Sequence, residues 1–178
     1  MSIRNTRTNQ LVLAALLTAL TAVCAQLQIP LAMVPISLAT FAVYLCGALL
    51  PPRYAALSMV AYALLGAVGV PVFAGFSAGP SILFGPTGGY IIGYAVCATA
   101  IALVLKRMGV THRSLCVAML AGTALCYLLG TVWFMVVTGW TLGKALTACV
   151  FPFLPGDALK IALAVILSMR LRKIISSL

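Results

Sequence analysis

The chain reads as long apolar stretches separated by short polar or proline-bearing breaks. Apolar runs of roughly 17 to 25 residues are long enough to cross a bilayer as helix. The first run predicts a helix over 10–27. Pro30 and Pro35 then interrupt the chain, because proline lacks an amide donor and its ring collides with the preceding turn. A second helix is predicted over 36–50, stopping at Pro51-Pro52, and a third over 54–70. Next comes "PVFAGFSAGPSILFGPTGGY", whose Gly, Pro and Ser punctuation predicts irregular backbone. It carries no charge, so a loop folded back onto the helices is expected, because backbone of this kind needs protein or a cavity to satisfy it. Two more spanning helices are predicted over 87–105 and 115–137. "TGWTLGKALTACVFPFLPG" predicts a short interfacial helix anchored by Trp140 and Lys144, followed by broken chain. The last helix is predicted over 157–173. The expected fold class is an all-α membrane protein, with six transmembrane helices in one bundle and a single domain over 1–178.

Composition sharpens this picture. Hydrophobic residues make up 64% of the chain and charged residues 7%, with a mean hydropathy of +1.21. A soluble domain needs a far more charged surface. The net charge of +10 raises the question of nucleic acid. Its distribution argues otherwise, because the basic residues mark the ends of the apolar runs. Of 11 Lys and Arg residues, only Lys144 and Lys160 fall elsewhere. The rest (Arg4, Arg7, Arg53, Lys106, Arg107, Arg113, Arg170, Arg172 and Lys173) gather on one side of a six-span topology. The positive-inside rule then places both termini in the cytoplasm. The N-terminal run is expected to stay in the protein as a helix, since no small-residue cleavage step comes after it.

One acidic side chain stands in the whole sequence, Asp157 in "FPFLPGDALK", with Lys160 three positions on. Spacing i, i+3 puts the two on one helix face. Counted back from the basic cluster after Met169, Asp157 lies about 12 helical steps away, roughly 18 Å. That depth places it inside the bilayer, where charges are costly, paired and turned towards cavities. A capping role for Asp157 at the helix start is the plainer alternative. It leaves Lys160 unexplained, since a cation there meets the wrong end of the dipole. Together the two offer an acceptor and a donor to a polar solute arriving from outside. "GPTGGY", 85 to 90, opens a helix with glycines that either admit a ligand to backbone amides or allow close helix packing. No nucleotide-hydrolysing signature is present.

"GFSAG" matches the G-x-S-x-G pattern of hydrolases. The sole histidine, His112, is predicted on the opposite side from Ser77, so no base serves it. The six cysteines occur singly and read as packing residues, without a metal or redox site. "ALLTA" carries Ala15 and Ala19 four apart, a spacing that lets helices approach closely.

"VPISLATFAVYLCGALL", "FGPTGGYIIGY" and "FPFLPGDALKI", in that order, resemble the BioY family, the biotin-binding S components of energy-coupling factor (ECF) transporters. The resemblance covers most of the chain. It implies a multi-pass protein of a prokaryotic cell membrane that captures biotin on the outer side and is not an enzyme. It implies a loop between helices 3 and 4 folded over the outward-facing site. Asp157 would accept from a ureido N–H and Lys160 would donate to the ureido oxygen. Gly88, Tyr90, Phe41, Tyr44, Phe73 and Phe84 are the further candidates for contact with the ligand. Ala15 and Ala19 resemble the step by which such components dock on a transmembrane coupling (T) subunit. ATP would be used only by partner ATPase (A) subunits, with no cofactor on this chain, and membrane lipid would surround it. Three rivals stand beside this reading: a capture component for another vitamin such as riboflavin or thiamin, a structural membrane subunit, and a lipid-modifying enzyme.

Overall fold

The computed structural model describes residues 7–29 and 34–177. Arg4 and Pro30 lie outside them. The first helix, α1 (Arg7–Gln26), buries Ala14, Leu17, Thr18, Thr21, Cys24 and Ala25. These recur at three- and four-residue steps and form one face. Ala15 and Ala19 lie on the exposed side of the same helix. After it comes a short antiparallel ribbon, β1 (Gln28–Ile29) against β2 (Ile36–Ser37), with Gln28 opposite Ser37.

The second helix, α2 (Ala39–Leu49), is only 11 residues long and is buried on all sides from Ala42 to Ala48. A helix apolar all round belongs at the centre of a bundle. Pro51 ends its surroundings and Pro52 opens α3 (Pro52–Ala67), where a missing amide proton costs nothing. Thr18 and Ser58 join α1 to α3 through hydroxyls 3.0 Å apart, each within 3.0 Å of the Ala14 carbonyl. Hydroxyls that bond across helices in this way hold membrane helices together.

The Gly-rich stretch contains a 3-10 turn (Ala74–Phe76) and a five-residue helix, α4 (Pro80–Phe84). It folds back onto the bundle, as its lack of charge requires. Phe73 inserts against Gly66 and meets Tyr62 edge-on, with ring centroids 5.5 Å apart. A methyl group at Gly66 would overlap the Phe73 ring. Gly66→Ala is therefore expected to expel Phe73 and to destabilise the fold by about 1–3 kcal/mol. Thermal unfolding in detergent checks this as a lowered Tm. Gly143→Ala, where an added methyl meets nothing within 4 Å, serves as the neutral comparison.

The longest contact joins α5 (Gly88–Met108) to α6 (His112–Thr138). Small residues let these helices close up: Gly89 abuts Trp133, and Gly122 abuts Cys97 and Ile101. A short helix, α7 (Leu142–Cys149), and a break at 150–153 lead to α8 (Leu154–Ser177). Helix α8 begins three residues earlier than expected, so Pro155 and Gly156 belong to its first turn.

By length and composition α1, α5 and α6 can each cross a membrane alone, and α7 with α8, bent by 49°, qualify as a pair. Helices α2 and α3, at 11 and 16 residues, fall short of that length. The described residues thus hold eight helices of unequal length, of which α1, α5, α6 and the α7–α8 pair meet the length for a crossing. Pro35 and the extended chain after it turn Ile36 and Ser37 into ribbon, so α2 begins at Ala39 and not at the expected 36.

Candidate functional site

The first two turns of α8 present Asp157 and Lys160 on its buried face, with 3% and 7% of their surfaces exposed. They form an ion pair, Lys160 Nζ to Asp157 Oδ1, at 2.8 Å. Three other elements converge on it. The β2–α2 junction supplies the Ser37 carbonyl, which accepts from Lys160 Nζ at 2.7 Å. Helix α2 supplies Thr40, whose hydroxyl accepts from Lys160 at 3.0 Å and donates to Asp157 Oδ1 at 3.2 Å. Helix α6 supplies Tyr127, whose hydroxyl donates to Asp157 Oδ2.

The carboxylate therefore takes its bonds from side chains of three helices and does not cap its own. All three ammonium protons have an acceptor, while Oδ2 serves a single donor. A carboxylate offers about four lone-pair sites. The pair thus has acceptor capacity to spare and no donor to spare.

Both side chains line a cavity of about 240 Å³. Its polar end holds Ser37, Thr40, Tyr127, Asp157 and Lys160; the remainder is largely apolar and aromatic, with Tyr62, Phe73, Tyr90, Ile91 and Tyr94 among its walls. An apolar chamber with a few convergent polar groups is the usual form of a small-molecule site. Residues of the folded-back loop (Phe73, Ala74, Ser77 and Ile82) form one side of it. Gln26 at the end of α1 clasps that loop. Its amide nitrogen donates to the Val72 and Phe73 carbonyls at 3.2 and 3.1 Å, and its Oε1 accepts from the Phe76 amide at 2.8 Å.

Of the residues singled out from sequence, Asp157, Lys160, Phe73 and Tyr90 meet at this cavity. The other four do not, and each has a local reason. Phe84 ends α4 pointing outward, 73% exposed. Phe41 is half-buried and lies next to Thr40, a position that turns its ring away into the main core. Tyr44 is sealed inside the bundle, with its hydroxyl 2.7 Å from that of Thr123. Gly88 is a packing glycine, since a methyl there would overlap the Leu83 backbone.

Thr40, Tyr127 and Gln26 were not singled out, although Thr40 lies inside the "VPISLATFAVYLCGALL" motif. Ser77 lines the cavity but donates its hydroxyl to the Ala74 carbonyl at 2.8 Å. His112 opens α6 beyond the far end of α5, a helix of 21 residues, or roughly 30 Å. A Ser–His nucleophile is thereby excluded. Lys144 is exposed on α7 and is not part of the cavity wall. Five of the six cysteines are buried, and the described residues contain no group of three or more His, Cys, Asp or Glu arranged to hold a metal.

The sequence profile of the BioY family matches residues 1–177. The chain is 42% identical, over 90% of its length and 94% of the relative's, to a probable biotin transporter BioY of Pyrococcus horikoshii. It is 36% identical, over 93% and 96% of the two lengths, to the biotin transporter BioY of Thermotoga maritima. Its fold is similar to a crystal structure of the S-component for biotin from an ECF-type ABC transporter. The TM-score is 0.88 at 29% identity, covering 95% of this chain and 93% of the other.

Proposed function

The chain belongs to the BioY family, and from that premise we propose that it is the substrate-capture component of a biotin uptake transporter. It is a multi-pass membrane protein and a transporter component, not an enzyme. The observation that carries the reading is the buried Asp157–Lys160 pair on the wall of an otherwise largely apolar cavity. A neutral ureido group presents two N–H donors and one carbonyl acceptor, so its binding site needs both polarities. Asp157 Oδ2, with lone pairs to spare, accepts from a ureido N–H. Lys160 donates to the ureido oxygen in exchange for one of its present acceptors. Both bonds are charge-assisted and belong to the strong class. Phe73 and Tyr90 flank the bicyclic ring.

The orientation derives from the basic residues, which keep the far ends of the helices and both termini in the cytoplasm of a prokaryotic cell. The cavity then opens outward. Six crossings include α2 as a short central helix, with the β-ribbon completing its path. Ala15 and Ala19 on the exposed face of α1 dock on a transmembrane coupling subunit, and ATPase subunits supply the energy.

Equilibrium binding of labelled biotin to detergent-purified protein tests the proposal. Saturable biotin binding that neither riboflavin nor thiamin displaces is the expected result. Displacement by another vitamin, with biotin itself failing to bind, overturns the substrate assignment.

The Gln26 clasp yields a separate expectation. Gln26→Met keeps the length of the side chain and removes its bonds to the loop. Two or three lost bonds of about 1 kcal/mol each loosen the cover. Biotin dissociation, tracked by chase with unlabelled ligand, should speed up by about tenfold or more. An unchanged rate would mean that the loop is held by packing alone.

A further inference from the structure

A second cavity, of about 720 Å³, lies where the start of α1, the α2–α3 junction and the last turns of α5 and α8 meet. Arg53, Lys106 and Arg172 reach its wall from three different helices. The Arg172 guanidinium is fixed by donation to the Ala48 carbonyl, 2.7 Å from Nε. Arg53 and Lys106 are exposed. Like charges gathered in one hollow repel each other, and an anion relieves that repulsion. Asp157, the one acidic side chain of the sequence, is bound to Lys160 at the other cavity and so does not serve Arg53 or Lys106.

The rest of the wall is mostly apolar, with Leu13, Leu49, Leu103, Leu105 and Val110 among it. Leu103, 46% exposed, carries that apolar surface out onto the flank of α5. A soluble anion has no use for such a flank, whereas a molecule with a charged head and hydrocarbon tails uses both. The cavity also lies at the basic, cytoplasmic end of the bundle, the side on which anionic lipids draw Lys and Arg to the surface.

We propose that this cavity binds the phosphate headgroup of an anionic phospholipid. Arg53 and Lys106 hold the phosphate, Arg172 adds its field from the wall, and an acyl chain lies along Leu103. This site is separate from the vitamin cavity and stands whatever ligand that cavity takes.

Native mass spectrometry of the full chain in detergent, titrated with phosphatidylglycerol and with phosphatidylcholine, provides the test. Phosphatidylglycerol should bind at least tenfold more tightly. The R53Q/K106Q double variant should lose that preference, while R107Q/R113Q, equal in charge but outside the cavity, should keep it within twofold. Equal loss in both double variants would reduce the effect to general surface charge and overturn the site. Displacement of the lipid by inorganic phosphate, at an ionic strength matched with chloride, would reassign the cavity to a free anion. A measurement that does not depend on how well R53Q/K106Q folds uses Leu103→Trp at its exposed position. Brominated phosphatidylglycerol should quench that tryptophan more than brominated phosphatidylcholine does; equal quenching would also overturn the proposal.

Discussion

Lys160→Met is expected to weaken biotin binding by ten- to a hundredfold while leaving a folded protein. A hydrogen bond to a charged group contributes about 1.5–3 kcal/mol, and each 1.4 kcal/mol is about a tenfold change in affinity. Folding survives because Asp157 keeps two donors, Thr40 and Tyr127. Asp157→Asn should reduce binding at least as much and also lower the Tm more. It strips Lys160 of its only anion in a buried place, and breaking such a pair costs about 3–5 kcal/mol. The double variant D157N/K160M removes both charges. It should regain most of the stability lost in Asp157→Asn and none of the biotin affinity. Isothermal titration and thermal unfolding on the three proteins read both quantities. If the double variant binds biotin as well as the parent, the pair is an internal strut and the functional reading fails.

Ala19→Trp should produce the opposite pattern, with uptake lost and capture intact. Ala15 and Ala19 lie on the exposed side of α1, beside Val12, Leu16 and Val23, and no charged residue interrupts this stretch. A bulky ring at an exposed position costs the isolated bundle little, but it holds a docking helix away. Biotin binding and Tm in detergent should match the parent. Uptake in cells supplied with coupling and ATPase subunits should fall at least about tenfold, or ~1.4 kcal/mol of lost association. Val132→Trp, on the exposed face of α6, serves as the comparison. Equal loss of uptake in both variants would mean that bulk anywhere on the surface is harmful, and the docking face would lose its support.

The long helices were legible because their apolar runs are long and their ends are marked by charge or proline. Helix α6 was predicted over 115–137 and spans His112–Thr138. The extra turn comes from a reciprocal cap, in which Thr111 accepts from the Ser114 amide at 3.1 Å and Ser114 accepts from the Thr111 amide at 2.8 Å. Helix α2 was harder to bound, because Ile36 and Ser37 look as apolar and helical as their successors yet pair with β1. The charged half of the candidate site was legible because charge is so rare here that its position carries information.

Its neutral half was not. Tyr127 is one of several tyrosines within apolar runs, and only the rotation of α6 against α8 decides that its hydroxyl meets Asp157 while that of Tyr44 meets Thr123. Phe73 and Phe84 occupy the same Gly-rich stretch with similar neighbours. The direction in which the chain doubles back sends one inward and the other out, and that direction depends on Gly66 leaving room for a ring.

The ammonium of Lys160 already faces the Ser37 carbonyl, the Thr40 hydroxyl and the Asp157 carboxylate. On the proposed reading the protein's own oxygens act as understudies for the vitamin's, and admission becomes a substitution. A newcomer without a carbonyl at the right spot would dislodge an understudy and put nothing in its place, leaving a buried proton unserved. Discrimination of this kind works by refusal: oily impostors of suitable shape are turned away by what they fail to replace.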